Sequence, residues 1–251
     1  MRVADPWTFD GFSAIDIASL VGLPRVELIE ETTSTLDVAH RLAAEGSGAG
    51  TLVVSDRQTA GRGRGANVWI SPAGTGIWMA LIARPASSSE VDVLSLRVGL
   101  KAARALDRFA AEPVRVKWPN DLYVEGRKLG GTLIEARWRD GRIEWVAIGV
   151  GINVSICPGL PAAAALDPGT SRIEVLTDLV PAISAAAACS GPLSPLELAE
   201  WDTRDMARGR SCSEPARGVV RGITAHGELL IALADSVARF RSGSLVLDQI
   251  T

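Results

Sequence analysis

The spacing of apolar residues changes period many times along this chain of 251 residues, and each change marks an element. Residues 13–21 have the pattern of one short helix, stopped by Gly22 and Pro24. Residues 26–30 alternate as a half-buried strand does. Thr32, Thr33, Ser34 and Thr35 then set hydroxyls at the head of an amphipathic helix carrying Leu36, Val38, Ala39, Leu42 and Ala43, which Gly46 ends. Two apolar runs of strand length, 51–54 and 77–82, flank a polar, glycine-rich stretch. A longer helical pattern fills 87–110, with Ser88 or Ser89 in the capping position. Pro119 interrupts 114–124, which therefore reads as strand, break, strand. Turn signals at Glu125-Gly126-Arg127 and Asp140-Gly141 separate that pair from strands over 132–138 and 143–154. Such a meander is antiparallel and excludes a doubly wound parallel sheet. Beyond a Pro/Ala/Gly-rich connector at 158–170, helices are expected over 171–189 and 195–207, with Trp201 packed between layers. From Arg210 the pattern turns to short strands at 218–223, 228–233, 237–241 and 244–247. That tail is too small to fold well alone and suits a small barrel docked on a main domain, which divides the chain into 1–205 and 206–251.

Composition narrows the classes. With 47% hydrophobic residues there is material for a large core, and a net charge of −3 without a basic tail argues against nucleic-acid binding by the whole surface. No run of eighteen apolar residues and no signal-peptide pattern is present, so a cytoplasmic, membrane-free protein is expected, with Cys157, Cys189 and Cys212 as reduced thiols. His40 and His226 are the only histidines, which disfavours a histidine-based triad or zinc site. Of the 26 basic residues only Lys101, Lys117 and Lys128 are lysine. In a chain so biased to arginine, a lysine is kept by chance or where a compact, rotatable ammonium is needed.

Candidate chemistry concentrates in four stretches. Between the runs at 51–54 and 77–82, Gly61, Gly63 and Gly65 alternate with Arg62 and Arg64. Glycine lets backbone N–H groups face a ligand closely, and guanidinium forks suit carboxylate or phosphate. The stretch fits an anion-closing loop; read by itself it also fits a mobile hairpin or a segment touching nucleic acid, and it lacks the Lys-Ser/Thr of a P-loop. Lys117 and Lys128 bracket the second stretch, with Asn120 and Asp121. Ser34 and Thr35 serve equally as helix caps or as ligand contacts at a helix N-terminus. Trp69 could line a ligand or belong to the core, Asp121 could be a turn residue, and Asn153 could cap a strand end.

In order, spacing and wording these stretches resemble the biotin protein ligase family. The residues are Thr33-Ser34-Thr35, Gln58-Thr59-Ala60-Gly61-Arg62-Gly63-Arg64 with Trp69-Ile70-Ser71-Pro72, Lys117-Trp118-Pro119-Asn120-Asp121, Lys128-Leu129-Gly130-Gly131 and Gly149-Val150-Gly151-Ile152-Asn153. The resemblance is dense over about 26–155. It implies an α+β catalytic domain with a mixed, mostly antiparallel sheet and helices on one side, followed by an SH3-like barrel. It also implies a two-step reaction, in which biotin and MgATP give biotinyl-5′-adenylate and the acyl group passes to a lysine of a biotin carboxyl carrier domain. On that resemblance Ser34, Thr35, Gln58, Gly61 and Gly131 meet biotin, together with Arg62, Gly63, Arg64 and Lys128. Arg64, Trp69, Lys117, Asn120, Asp121 and Asn153 meet ATP or the adenylate. Lys128, Arg62, Arg64 and Asp121 carry the catalysis, Asp121 by attracting and deprotonating the acceptor lysine. Mg²⁺ needs only one or two protein oxygens beside the phosphates, so no protein metal cage is expected.

Two departures stand out. The family usually has Asn after Ser-Thr, where this chain has Leu36, and another Gly-Arg before the loop tryptophan, where Ala66-Asn67-Val68 stand. A less cationic loop and weaker retention of the adenylate are expected. The start of the chain has no helix-turn-helix pattern, so a ligase without specific DNA binding is expected, as monomer or homodimer. The rivals are a lipoate or octanoate ligase of the same architecture and a nucleic-acid-binding regulator using the Arg-Gly loop.

Overall fold

A computed structural model describes residues 7–85, 91, 93–157, 159–160 and 162–248. Seven strands form the main sheet: β1 (Arg25–Thr32), β2 (Thr51–Gln58), β3 (Gly76–Ala83), β4 (Arg115–Lys117), β5 (Asp121–Val124), β6 (Arg127–Arg139) and β7 (Arg142–Asn153). Their order is β1-β2-β3-β7-β6-β5-β4. Only β1 and β2 pair in parallel, joined across α2 (Thr35–Ala44); the other neighbours are antiparallel, as the meander predicts.

The helices α1 (Ala14–Val21), α3 (Leu94–Leu106) and α4 (Arg172–Ala187) cover one face of this sheet, over Leu52, Val54, Met79, Leu81, Ile148 and Val150. A single helical layer is the sequence expectation, but α2 lies on the opposite face, with Leu36, Val38 and Leu42 against Val53, Ala80, Ile82 and Ala147. Covered on both sides, β3 is buried at nearly every position and therefore reads as an unbroken apolar run. The helix expected over 87–110 starts later, at Leu94, and carries no side-chain cap; Ser88 and Ser89 lie outside the described residues. Ser13 caps α1 in a capping box and Ser34 caps α2, one of the two roles the sequence leaves open for it.

After α5 (Pro195–Arg204) come β8 (Ser211–Glu214), β9 (Gly218–Ile223), β10 (Leu229–Ala232), β11 (Val237–Phe240) and β12 (Val246–Leu247). They form an antiparallel sheet in the order β11-β10-β9-β8-β12. β8 has no hydrophobic signature, since Cys212 alone of its four residues is buried. This sheet is docked on the first by hydrogen bonds from the buried Trp118 Nε1 to Gly227 O (3.0 Å), from Leu193 N to Ala225 O (2.8 Å) and from Met206 N to Val116 O (3.0 Å). Among the described residues no helix is long and apolar enough to cross a membrane.

Asp205 sits at this junction, bridged to Val116 and 4% exposed. Burial raises its carboxyl above the usual range, although hydrogen bonding from the Ala207 N–H opposes the shift. A raised folded-state value means that the native protein favours the protonated acid. Asp205 therefore contributes most stability below the unfolded carboxyl value, and that contribution is lost as pH rises through the folded one. Asp205→Asn keeps the acceptor for Ala207 and removes the charge. It is expected to raise Tm by roughly 2–4 °C at pH 7, with the gain shrinking on acidification, as calorimetry at several pH values would register.

Candidate active site

One cleft of about 600 Å³ opens between the main sheet, the glycine-rich segment and the turn leading into β12. Ser34, Thr35, Gln58, Arg62, Gly63, Arg64, Trp69, Lys117, Asn120, Asp121, Lys128, Gly131 and Asn153 all line it. Of the residues expected to form the site, Gly61 alone is not on the wall. A Cβ there would lie 2.3 Å from Trp69 O and 2.9 Å from Ser71 Oγ, so only glycine fits this turn behind the wall.

At the deep end the first turn of α2 meets β2. Thr35 donates through both N (2.8 Å) and Oγ1 (3.1 Å) to Gln58 Oε1, and Gln58 Nε2 donates to Ser71 Oγ at 2.8 Å. Ser34, 1% exposed, caps Leu36 N at 3.4 Å, so the cap and cleft-lining roles coincide in one side chain. The strand glycines shape the floor. A Cβ on Gly149 would stand 3.0 Å from Leu36 Cδ1, and one on Gly151 would stand 2.5 Å from Trp69 Nε1. Both side chains thus lie flat on β7, and Leu36 closes the floor with hydrocarbon. Trp69 also meets Trp78 edge-on, with ring centroids 6.4 Å apart. Half-buried, it lines the cleft while it packs against the buried Trp78.

The glycine-rich segment is a tight hairpin. Trp69 N donates to Gly61 O (2.8 Å) and Gly63 N to Asn67 O (2.8 Å), while Asn67 Nδ2 closes the tip on Arg64 O (3.0 Å). Gly65 turns there at φ 63°, a left-handed conformation suited to glycine. The Gly63 N–H is thus used by the hairpin itself. The hairpin also gives Asn67 a role that the departure at 66–68 conceals. Arg64 donates from Nη1 to Gly243 O at 2.9 Å, tying the hairpin to the second sheet. Arg62 pairs with Asp37 and, at 2.9 Å, with Glu135, neither of which any sequence motif marks.

Opposite, β4 and β6 supply the lysines and β5 supplies Asp121. Lys128 Nζ stands 2.6 Å from Asp121 Oδ1 and 5.3 Å from the Trp69 ring centroid. Lys117 faces Asp121 across the β4–β5 pair and lies 5.7 Å from the Tyr123 ring centroid. Burial pushes the Lys117 ammonium below the usual lysine range, Asp121 opposes this, and Lys128 and Arg210 add to the depression. Burial and then Asp121 push Tyr123 up to about 12. Asn120 Nδ2 donates to Thr132 O (2.6 Å) and Asn153 Nδ2 to Ala164 O (3.1 Å), so both amides brace backbone while lining the cleft. Ser244, Leu245 and Val246 complete the rim from the second sheet, a contribution with no local sequence signal.

The sequence profile of the biotin/lipoate A/B protein ligase family matches residues 27–153, the half of the chain that builds most of this cleft, and the chain belongs to that family. Over 127 residues it is 41% identical to the bifunctional ligase/repressor BirA of Bacillus subtilis, covering 50% of this chain and 39% of that protein. Over 146 residues it is 32% identical to the biotin--[acetyl-CoA-carboxylase] ligase of Paracoccus denitrificans, covering 57% of this chain and 59% of that protein. The chain therefore aligns with less than two thirds of either relative's length. In three dimensions it resembles the biotin protein ligase from Aquifex aeolicus, solved with biotin and ATP, at a TM-score of 0.74 and 25% identity over 91% of this chain and 100% of that one. The Leishmania major biotin protein ligase, solved with biotinyl-5-AMP, follows at 0.59 and 25% identity, over 86% and 98%.

Proposed function

We propose that this protein is an ATP-dependent biotin ligase, which makes biotinyl-5′-adenylate and transfers the biotinyl group to a lysine of a biotin carboxyl carrier domain. The observation that carries this reading is the meeting of Arg62, Arg64, Lys117 and Lys128 with the Ser34–Thr35–Gln58 cluster on the walls of one cleft. In the first step a carboxylate oxygen of biotin attacks the α-phosphorus and pyrophosphate leaves. Two anions are thereby pressed together, and preorganised cations are the remedy. Lys128 is the side chain able to follow both, since it reaches into the cleft as a rotatable point charge. The floor of Leu36 and Trp69 suits an apolar bicyclic ring, with the Ser34–Thr35–Gln58 cluster holding its ureido group.

In the second step the acceptor amine attacks the acyl carbon, AMP leaves and the amine loses a proton. Asp121 takes that proton, but only once Lys128 has exchanged Asp121 for the substrate anions. Among the described residues no group of three or more His, Cys, Asp or Glu could hold a metal ion. Mg²⁺ would enter on the ATP phosphates, where it needs at most one or two protein oxygens. Bound there, the ion would supply further positive charge at the phosphates.

The test is pyrophosphate–ATP exchange that depends on added biotin, followed by labelling of a purified carrier domain with biotin, lipoate or octanoate. Biotin-dependent exchange and biotin labelling are expected; exchange that responds only to lipoate or octanoate would overturn the assignment. Arg64→Gly removes the tie to Gly243 and one cation from the hairpin. Adenylate should then escape about ten- to a hundredfold faster, the value of a charge-assisted hydrogen bond, and label bystander lysines. Unchanged retention, measured by filtration of the preformed complex, would count against closure by the hairpin.

A further inference from the structure

We propose that Glu135 is a positioning residue. Together with Asp37 it tethers the root of the glycine-rich hairpin through Arg62, and His40 fixes Glu135 in the orientation to do so. For its effect on activity this inference rests on the ligase reading; for the tether itself it does not.

Two side chains bind the hairpin to distant elements, Arg64 near its tip and Arg62 at its root. Arg62 Nη2 donates to Glu135 Oε2 at 2.9 Å, and the same oxygen lies 2.9 Å from His40 Nε2. The direction of that second bond is set from behind. Trp145 Nε1 stands 2.9 Å from His40 Nδ1, and an indole nitrogen can only donate. His40 Nδ1 must therefore accept, which places the ring proton on Nε2 and points it at Glu135. Trp145 is braced in turn by the Arg84 guanidinium, 5.8 Å from its ring centroid and hydrogen-bonded to Ala43 O, Ser47 O and Glu144 O. Indole, imidazole, carboxylate and guanidinium thus form one chain of fixed polarity, running from the β7 side of α2 to the cleft wall.

The groups are only half-buried: the side chains of Arg62, Glu135 and His40 are 36%, 32% and 27% exposed. Ion pairs so exposed add little to stability. Their consequence is directional, because both terminal nitrogens of Arg62 are held by carboxylates. The guanidinium is thereby kept on the cleft wall instead of sweeping solvent. The hydrogen bond from His40, then burial in opposition, then Arg62 set the net fall of the Glu135 carboxyl below its usual range, which keeps it charged for this task.

Glu135→Gln retains the shape and removes the charge. His40→Phe retains a ring against Trp145 and removes both nitrogens. In ligand-free protein, tryptic cleavage after Arg64 should accelerate about tenfold in Glu135→Gln and less in His40→Phe, with Tm nearly unchanged. In the biotin-dependent exchange, kcat should fall on the order of ten- to a hundredfold, the penalty of a displaced reacting or charged group, with little change in KM. Because Glu135 acts through Arg62, adding Glu135→Gln to Arg62→Ala should change neither rate further. Cleavage at the parental rate in Glu135→Gln, or kinetic losses that simply multiply in the double variant, would overturn the proposal. Absence of exchange in the parent would overturn the ligase reading instead, and the tryptic rates would still decide the tether.

Discussion

Lys128→Ala is expected to abolish biotin-dependent pyrophosphate exchange, by roughly 10²–10³-fold or more, the loss seen when one preorganised charge-stabilising group is deleted from an active site. The structure makes the loss double. Lys128 is both a cation of the cleft and the partner of Asp121, at 2.6 Å. Its removal leaves the Asp121 carboxylate without its ion-pair partner, faced only by Lys117, in a space that must admit a second carboxylate and a polyphosphate. Repulsion then acts on bound substrates, and the missing ammonium acts most strongly where negative charge crowds the α-phosphorus. Stability should hardly change, since the side chain is 39% exposed and such pairs contribute little. Lys128→Arg is expected to recover little, because a planar fork held by Asp121 cannot follow the migrating charge as an ammonium does. The assay is exchange set against a thermal melt of the same sample. Exchange within tenfold of the parent in a folded Lys128→Ala protein would refute the assignment.

What the sequence discloses of this site follows from where its information is local. A cap, a glycine turn or a Lys-Trp-Pro-Asn-Asp run carries its own geometry, so the elements bearing Ser34, Lys117, Asp121 and Lys128 are placed before any coordinates are known. Glycines at 149 and 151 announce close approach in a strand, though not that Leu36 and Trp69 are what approaches. The second helical layer was not legible: the expectation set the helices on one side, although an unbroken apolar run such as 77–82 is what cover on both faces produces, and α2 supplies that cover. Illegible are the pairings between distant segments. Asp37 looks like an ordinary acid in a first helical turn, and Glu135 like one polar position in a strand. Only the fold brings both to Arg62 and puts His40 behind them. The Gly63 amide shows the converse, since glycine says that a backbone is free to turn but not which acceptor it will find.

Asp121→Asn should separate the two steps. Asn keeps an oxygen for Lys128 and removes a negative charge from a cleft that must fill with anions, so exchange should be preserved or modestly faster. Transfer to the carrier lysine should fall about 10²-fold, the usual worth of a positioned general base. Two neighbours could rescue it, and the electrostatics distinguish them. Tyr123 loses the Asp121 contribution, but burial, the larger cause, still holds its phenol up, so it stays protonated and cannot accept the proton. Lys117 faces residue 121 across the strand pair, and its depressed value gives it a larger neutral fraction than an ordinary lysine has. The Asp121 charge opposes that depression, so Asp121→Asn should lower Lys117 further and make it the surviving base. Residual transfer in the single variant should therefore persist with a rising pH dependence, whereas Lys117→Met in the same background should eliminate it. Single-turnover transfer from preformed adenylate isolates the step. Parental transfer in Asp121→Asn, or exchange lost in step with transfer, would remove Asp121 from the second reaction and leave it only as the counter-ion of Lys128.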